Sequence, residues 1–178
     1  MIEVFVESIR VNMANYKRVV MLKEKDSTRY LPIWIGHFEA DAIAIPMQKV
    51  PVSRPLTHDL LRSAIDTLGA KLEHVIIHDL ADETFYAKLI LQRDGQSVEV
   101  DARPSDAIAL AIRAEVPIYV EEKVIDSAGM VFDSEEGEPG EGKRSKEDLP
   151  LDETKLSVFK QFIDSLDIDD IGKAGESK

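Results

Sequence analysis

The chain has 178 residues, 44% of them hydrophobic, with 34 acids against 22 bases and no cysteine. That is enough apolar mass for one globular core, and it excludes a disulfide framework, a thiolate metal site and a cysteine nucleophile. A net charge of −12 lacks the basic excess behind non-specific nucleic-acid affinity, so any polynucleotide would be a transient substrate met through a local patch.

The charge is unevenly spread. Residues 133–178 hold 14 acids and 7 bases, which leaves 20 acids and 15 bases in the first 132. Glu3, Glu7 and Arg10 interrupt the first apolar run, so no signal peptide is read there, and no run is long enough to cross a bilayer. The expectation is a soluble cytoplasmic protein.

In chain order, Ile2–Val11 and Tyr16–Leu22 alternate in the manner of a β-hairpin around a turn with two asparagines, which tolerate left-handed backbone. Leu31–Ile35 is a short strand whose Pro32 suits its start or an edge. Gly36 ends it, a helix begins near His37, and Pro46 terminates or kinks that helix after Ile45. A loop then delivers Arg54-Pro55, which opens a second helix. Its stripe of Leu60, Leu61, Ala64, Ile65 and Leu68 should face the core, with His58 at the stripe's edge, Asp59 on the far side and Gly69 as the cap.

A second hairpin follows, Leu72–Ile77 and Phe85–Leu91 around Asp79–Thr84, then a strand from Gln96 to Val100. Pro104 suits a first helical position, and Asp106 in the first turn suits the helix dipole. Ala107 to Ile112 leave almost no polar face, so this helix should be buried until Pro117 ends it near Ala114. Asp101, Arg103, Ser105 and Asp106 thus cluster where a strand feeds a buried helix. Pro117–Val120 reads as a short strand, and Glu121–Ala128 as one or two helical turns stopped by Gly129.

The segment 132–150 turns to Glu, Gly, Ser and Lys and is expected to be a disordered acidic linker. Within 151–178, Asp152 or Thr154 caps an amphipathic helix with a stripe of Leu156, Phe159, Ile163 and Leu166, which would dock on its own domain or on a protein partner.

Aligned at an offset of 65, Ala40-Asp41-Ala42-Ile43-Ala44 lies on Ser105-Asp106-Ala107-Ile108-Ala109. Each copy follows two β-rich runs and a strand. The expected fold is therefore α+β: a compact mixed-sheet domain over 1–131, built as an internal duplication of a β-β-β-α unit with an inserted helix.

No Gly-rich phosphate loop, zinc helix or nucleophile elbow occurs. His74 and His78 lie in a β-rich run, where a solvated sheet face accounts for them better than zinc.

Leu31-Pro32-Ile33-Trp34-Ile35-Gly36 with Phe38-Glu39-Ala40, then Arg54–Leu60 and Val100–Ala111, resemble the hallmark segments of the bifunctional nuclease (BFN) domain family. The likeness runs from about Ile2 to Gly129, and Phe159–Asp164 is similar to the end of some bacterial members. It implies a compact α+β fold and hydrolysis of both DNA and RNA. It brings no transferable catalytic list.

A mechanism on the matched positions would have Glu39, Asp101 and Asp106 hold one divalent cation, magnesium or manganese. His58 would be base or proton donor, and Arg54 and Arg103 would clamp the phosphate, aided by helix N-termini at Pro55 and Pro104. The structural alternative pairs Arg54 and Arg103 with Asp59, Asp101 or Asp106 as buried ion pairs. A different class of function, a non-enzymatic module binding an anion, nucleotide or protein, also fits the acidic balance. In either case apolar surface at short edge strands would support a homo-oligomer, such as a dimer.

Overall fold

The computed structural model describes residues 1–12 and 16–131. The expected linker at 132–150 and the expected helix within 151–178 lie outside the described residues. Among the described residues, twelve elements run in the order β1 (Ile2–Val11), β2 (Arg18–Glu24), β3 (Arg29–Ile35), α1 (His37–Met47), α2 (Thr57–Thr67), β4 (Ala70–Ala81), β5 (Thr84–Arg93), β6 (Gln96–Ala102), α3 (Pro104–Ala114), β7 (Ile118–Val120), α4 (Glu122–Ala128) and β8 (Met130–Val131).

The strands form one mixed sheet in the order β6-β5-β4-β7-β1-β2-β3-β8. The short β7 lies between a three-stranded group (β4 to β6) and a four-stranded one (β1 to β3 with β8), parallel to β4 through Val75↔Ile118 and antiparallel to β1 through Ile2↔Val120. One sheet face supplies Val4, Val20, Leu22, Ile33, Val75, Ile77, Ala87 and Leu89 to a core closed by Ile43 of α1 and by Ile108 and Leu110 of α3. Strand alternation accounts for this, since residues two apart share a face. The α+β expectation holds.

The order β-β-β-α occurs twice, but in a different register from the alignment above. α1 begins two residues after Ile35 and α3 two residues after Ala102, so His37 matches Pro104 at an offset of 67. Glu39 then corresponds to Asp106, each the third residue of its helix. Runs of alanine and isoleucine match at several offsets; the strand ends fix this one.

Several local expectations change. The β4–β5 turn is only Asp82-Glu83, because Ala81 pairs with Thr84. α2 begins at Thr57 rather than at Pro55: Leu56 is extended, and its N–H donates to the Asp59 carboxylate at 2.8 Å. Pro55 therefore stands outside the helix. α1 runs through Pro46 to Met47, and the acceptor this proline leaves without an N–H, the carbonyl of Ala42, receives the Arg113 guanidinium at 2.7 Å.

The largest change is in α2. None of its residues is fully buried, and Leu60 and Leu68 are 64% and 68% exposed. Of the expected core stripe, Leu60, Leu61, Ala64 and Leu68 face outward. The side turned to α3 carries His58, Asp59 and Arg62 instead, with Ile65 packed against the core. A helical wheel says which residues share a face; here polar bonds to α3 decide which face turns inward.

Candidate functional site at the helix starts

α1 and α3 each follow directly on a strand, and each carries an acid at its third position, where the positive end of the helix favours it. Arg103, the residue that caps α3, reaches both. Its Nε and one terminal nitrogen donate to the two oxygens of Asp106 at 2.7 and 3.1 Å, while the other terminal nitrogen donates to Glu39 at 3.0 Å. One guanidinium thus spans the starts of two helices.

His58, in the first turn of α2, completes the cluster. Its Nε2 lies 3.1 Å from Asp106 Oδ1. An ionised carboxylate can only accept, so Nε2 carries the hydrogen, and in the neutral ring the lone pair is then on Nδ1. Burial pushes the Asp106 carboxyl up, but the Arg103 and His58 hydrogen bonds outweigh it and hold it below its ordinary 3.8. The same pair with Asp106 pushes Arg103 up. The His58 side chain is 12% exposed and that of Arg103 65%, so the histidine is shielded beneath an open arginine.

A second, buried pair lies behind the first. Arg113, with its side chain 5% exposed, donates to Asp59 at 2.6 Å and to the carbonyls of Ala42 and Ala109. It joins α1, α2 and α3. Burial pushes Asp59 up, but the Leu56 N–H and Arg113 together bring it down. Buried pairing of this kind was expected of Arg54 or Arg103; it falls to Arg113. The available signal was the one charge beyond the first turn of a helix that is otherwise apolar from Ala107 on, and such a charge must find partners when buried.

The structure brings together His58, Arg103, Asp106 and Glu39, and leaves Asp101 and Arg54 apart from them. β6 continues to Ala102, and Asp101 lies opposite Lys88. Its neighbours Val100 and Ala102 lie opposite Leu89 and Ala87, which face the core, so Asp101 points to the other side of the sheet. Arg54, in the exposed loop before α2, makes no hydrogen bond or ion pair among the described residues.

The expected cation trio is therefore not assembled. Glu39 and Asp106 share Arg103, Asp101 faces away, and no group of three or more His, Asp or Glu among the described residues is arranged to hold a metal ion. This donor set does not fit a hard divalent cation, which needs converging oxygens. No helix among the described residues is long and apolar enough to cross a membrane.

An α+β domain with an Asp-held histidine at converging helix starts is the class these features define. The family model described as the bifunctional nuclease domain matches residues 20–133, and the chain belongs to that family. It is 45% identical over 168 residues to an uncharacterized protein of Mycobacterium tuberculosis (strain ATCC 25618 / H37Rv), covering 94% of this chain and 96% of that protein. Bifunctional nuclease 2 of Arabidopsis thaliana is 32% identical over 143 residues, 76% of this chain and 41% of the plant protein. Bifunctional nuclease 1 of the same plant is 30% identical over 115 residues, 62% and 35% of the two chains. The chain thus spans well under half the length of these plant relatives.

Proposed function

We propose that this chain hydrolyses phosphodiester bonds of DNA and RNA at the cluster of His58, Asp106, Arg103 and Glu39. Family membership and the names of the plant relatives support the reaction class. The observation that carries the reading is the His58–Asp106 bond: a carboxylate that fixes one ring nitrogen orients the other as a base. Nδ1 would take a proton from water as its oxygen attacks phosphorus. The P–O bond to the leaving group then breaks, the departing oxygen takes a proton from solvent water, and His58 returns its own proton to solvent.

Charge must be rearranged for this. Glu39, Asp106 and Arg103 sum to −1, so an incoming phosphate needs Arg103 to turn from at least one carboxylate toward the substrate. The N–H groups at the starts of α1 and α3 offer further positive charge, and Arg54, which stands apart from the cluster, is left out of the scheme. A magnesium or manganese ion enters no step of this scheme.

The test is cleavage of labelled single-stranded DNA and RNA by the full chain and by His58→Ala and Asp106→Asn, with and without a chelator. Folded His58→Ala should lose on the order of 10²–10⁴-fold in turnover. Unchanged turnover in that variant would overturn the assignment. A second reading has one observation in its favour: Arg103 is already neutralised by its own chain, as in a lock on helix starts. Saturable oligonucleotide binding by purified chain with no turnover would favour that binding module.

A further inference from the structure

We propose that α2 is a self-pairing helix, on whose outer face a second copy of this chain docks antiparallel about a two-fold axis at Ala64. The helix is amphipathic the wrong way round for a monomer. His58, Asp59 and Arg62 bond to α3, while Leu60, Leu61, Ala64 and Leu68 face solvent. At 100° per residue, Thr67, Leu60, Ala64, Thr57, Leu68 and Leu61 fall within an arc of roughly 120°. That arc holds no charge.

Two arguments choose a second copy as the occupant. The chain carries a net −12, so two copies repel each other overall, and a charge-free face lets them touch without like charges meeting. The arc is also symmetric about its smallest residue. Leu60 and Leu68 stand four positions either side of Ala64, and Leu61 and Thr67 three positions either side. A two-fold axis there sets Leu60 of one copy against Leu68 of the other, and the reverse, which is the self-complementarity an isologous contact requires. Alanine at the centre allows the helix axes within roughly 8–10 Å, and antiparallel dipoles attract.

Eleven residues give a helix of roughly 16 Å, short of the ~800 Å² per partner of a standard interface, so the dimer should be weak and concentration-dependent. It would lie on α2, not at the edge strands where sequence alone looked for it.

The test is sedimentation velocity of the full chain across roughly two decades of concentration around the micromolar range. The wild type should move from monomer to dimer, and Leu60→Asp with Leu68→Asp should stay monomeric with unchanged circular dichroism. In a cysteine-free chain single cysteines give a clean second readout. Mixed Leu60→Cys and Leu68→Cys chains should cross-link under mild oxidation more than either alone. A wild type that is monomeric throughout overturns the proposal. So does a dimer untouched by the aspartates, cross-linking favoured within one variant, or aspartate variants that unfold, which would mean the face is covered by its own chain.

Discussion

Arg113 supplies the hydrogen that Pro46 lacks: its guanidinium donates to the carbonyl of Ala42, the acceptor four residues before the proline. The same group neutralises Asp59, so a helix irregularity in α1 and the seating of α2 depend on one side chain. Arg113→Met should leave an acceptor and a carboxylate without a partner, costing about 3 kcal/mol in urea unfolding, at the low end for a buried pair because water reaches Asp59. Pro46→Ala restores an N–H to the Ala42 carbonyl. In the double variant the loss should shrink by about 1 kcal/mol. Strictly additive effects would show that the two residues are not coupled.

Acid should act through Asp106. Its carboxyl, pushed up by burial but brought lower by Arg103 and His58, titrates below 3.8 in the folded chain. The stability it contributes is full above its unfolded value and is lost as pH falls through the lowered folded one. Asp106→Asn should therefore be less stable than wild type at neutral pH and lose less as pH falls below about 4. Urea midpoints with the same pH slope in both proteins would contradict this.

Asp101 and Asp106 should part company in activity assays. Asp106 orients His58, whereas Asp101 lies on the opposite sheet face beside Lys88. Asp106→Asn is expected to lower turnover at least about tenfold through loss of orientation, and Asp101→Asn to change it less than about twofold. Steady-state rates on one oligonucleotide decide it. Equal losses would require Asp101 to reach the substrate.

Two of the hairpin turns, those that flank β5, offer a stability test. Asp94-Gly95 and Asp82-Glu83 both have positive φ at both residues, the I′ pattern, with values of 52° and 77° in the first and 49° and 60° in the second. Only the first has a glycine. Glu83→Gly should raise stability by about 0.5–1 kcal/mol by removing left-handed strain, read as a higher Tm. A fall in Tm would show that the Glu83 side chain has a compensating partner.

Much of this fold was legible beforehand. The alternating runs marked both hairpins, and α3 starts at Pro104 and ends at Ala114, three residues before Pro117. Of the residues singled out as a candidate site, His58, Arg103, Asp106 and Glu39 converge in the structure. Asp101 was misjudged because β6 runs two residues further than its alternating core, and each added strand residue reverses the side-chain direction. α2 was misjudged because apolar residues were assumed to turn inward. Its seating follows from Asp59 and Arg113, which are 54 positions apart, and no local pattern reports such a partner.

The three-residue β7 has a consequence for how the protein is made. It alone joins the two strand groups, and it pairs Ile2 with Val120 at the far end of the domain. During synthesis the N-terminal strands must wait with an open edge until nearly the whole domain has left the ribosome. Assembly should thus be slow, with its last cooperative step the insertion of that central rung.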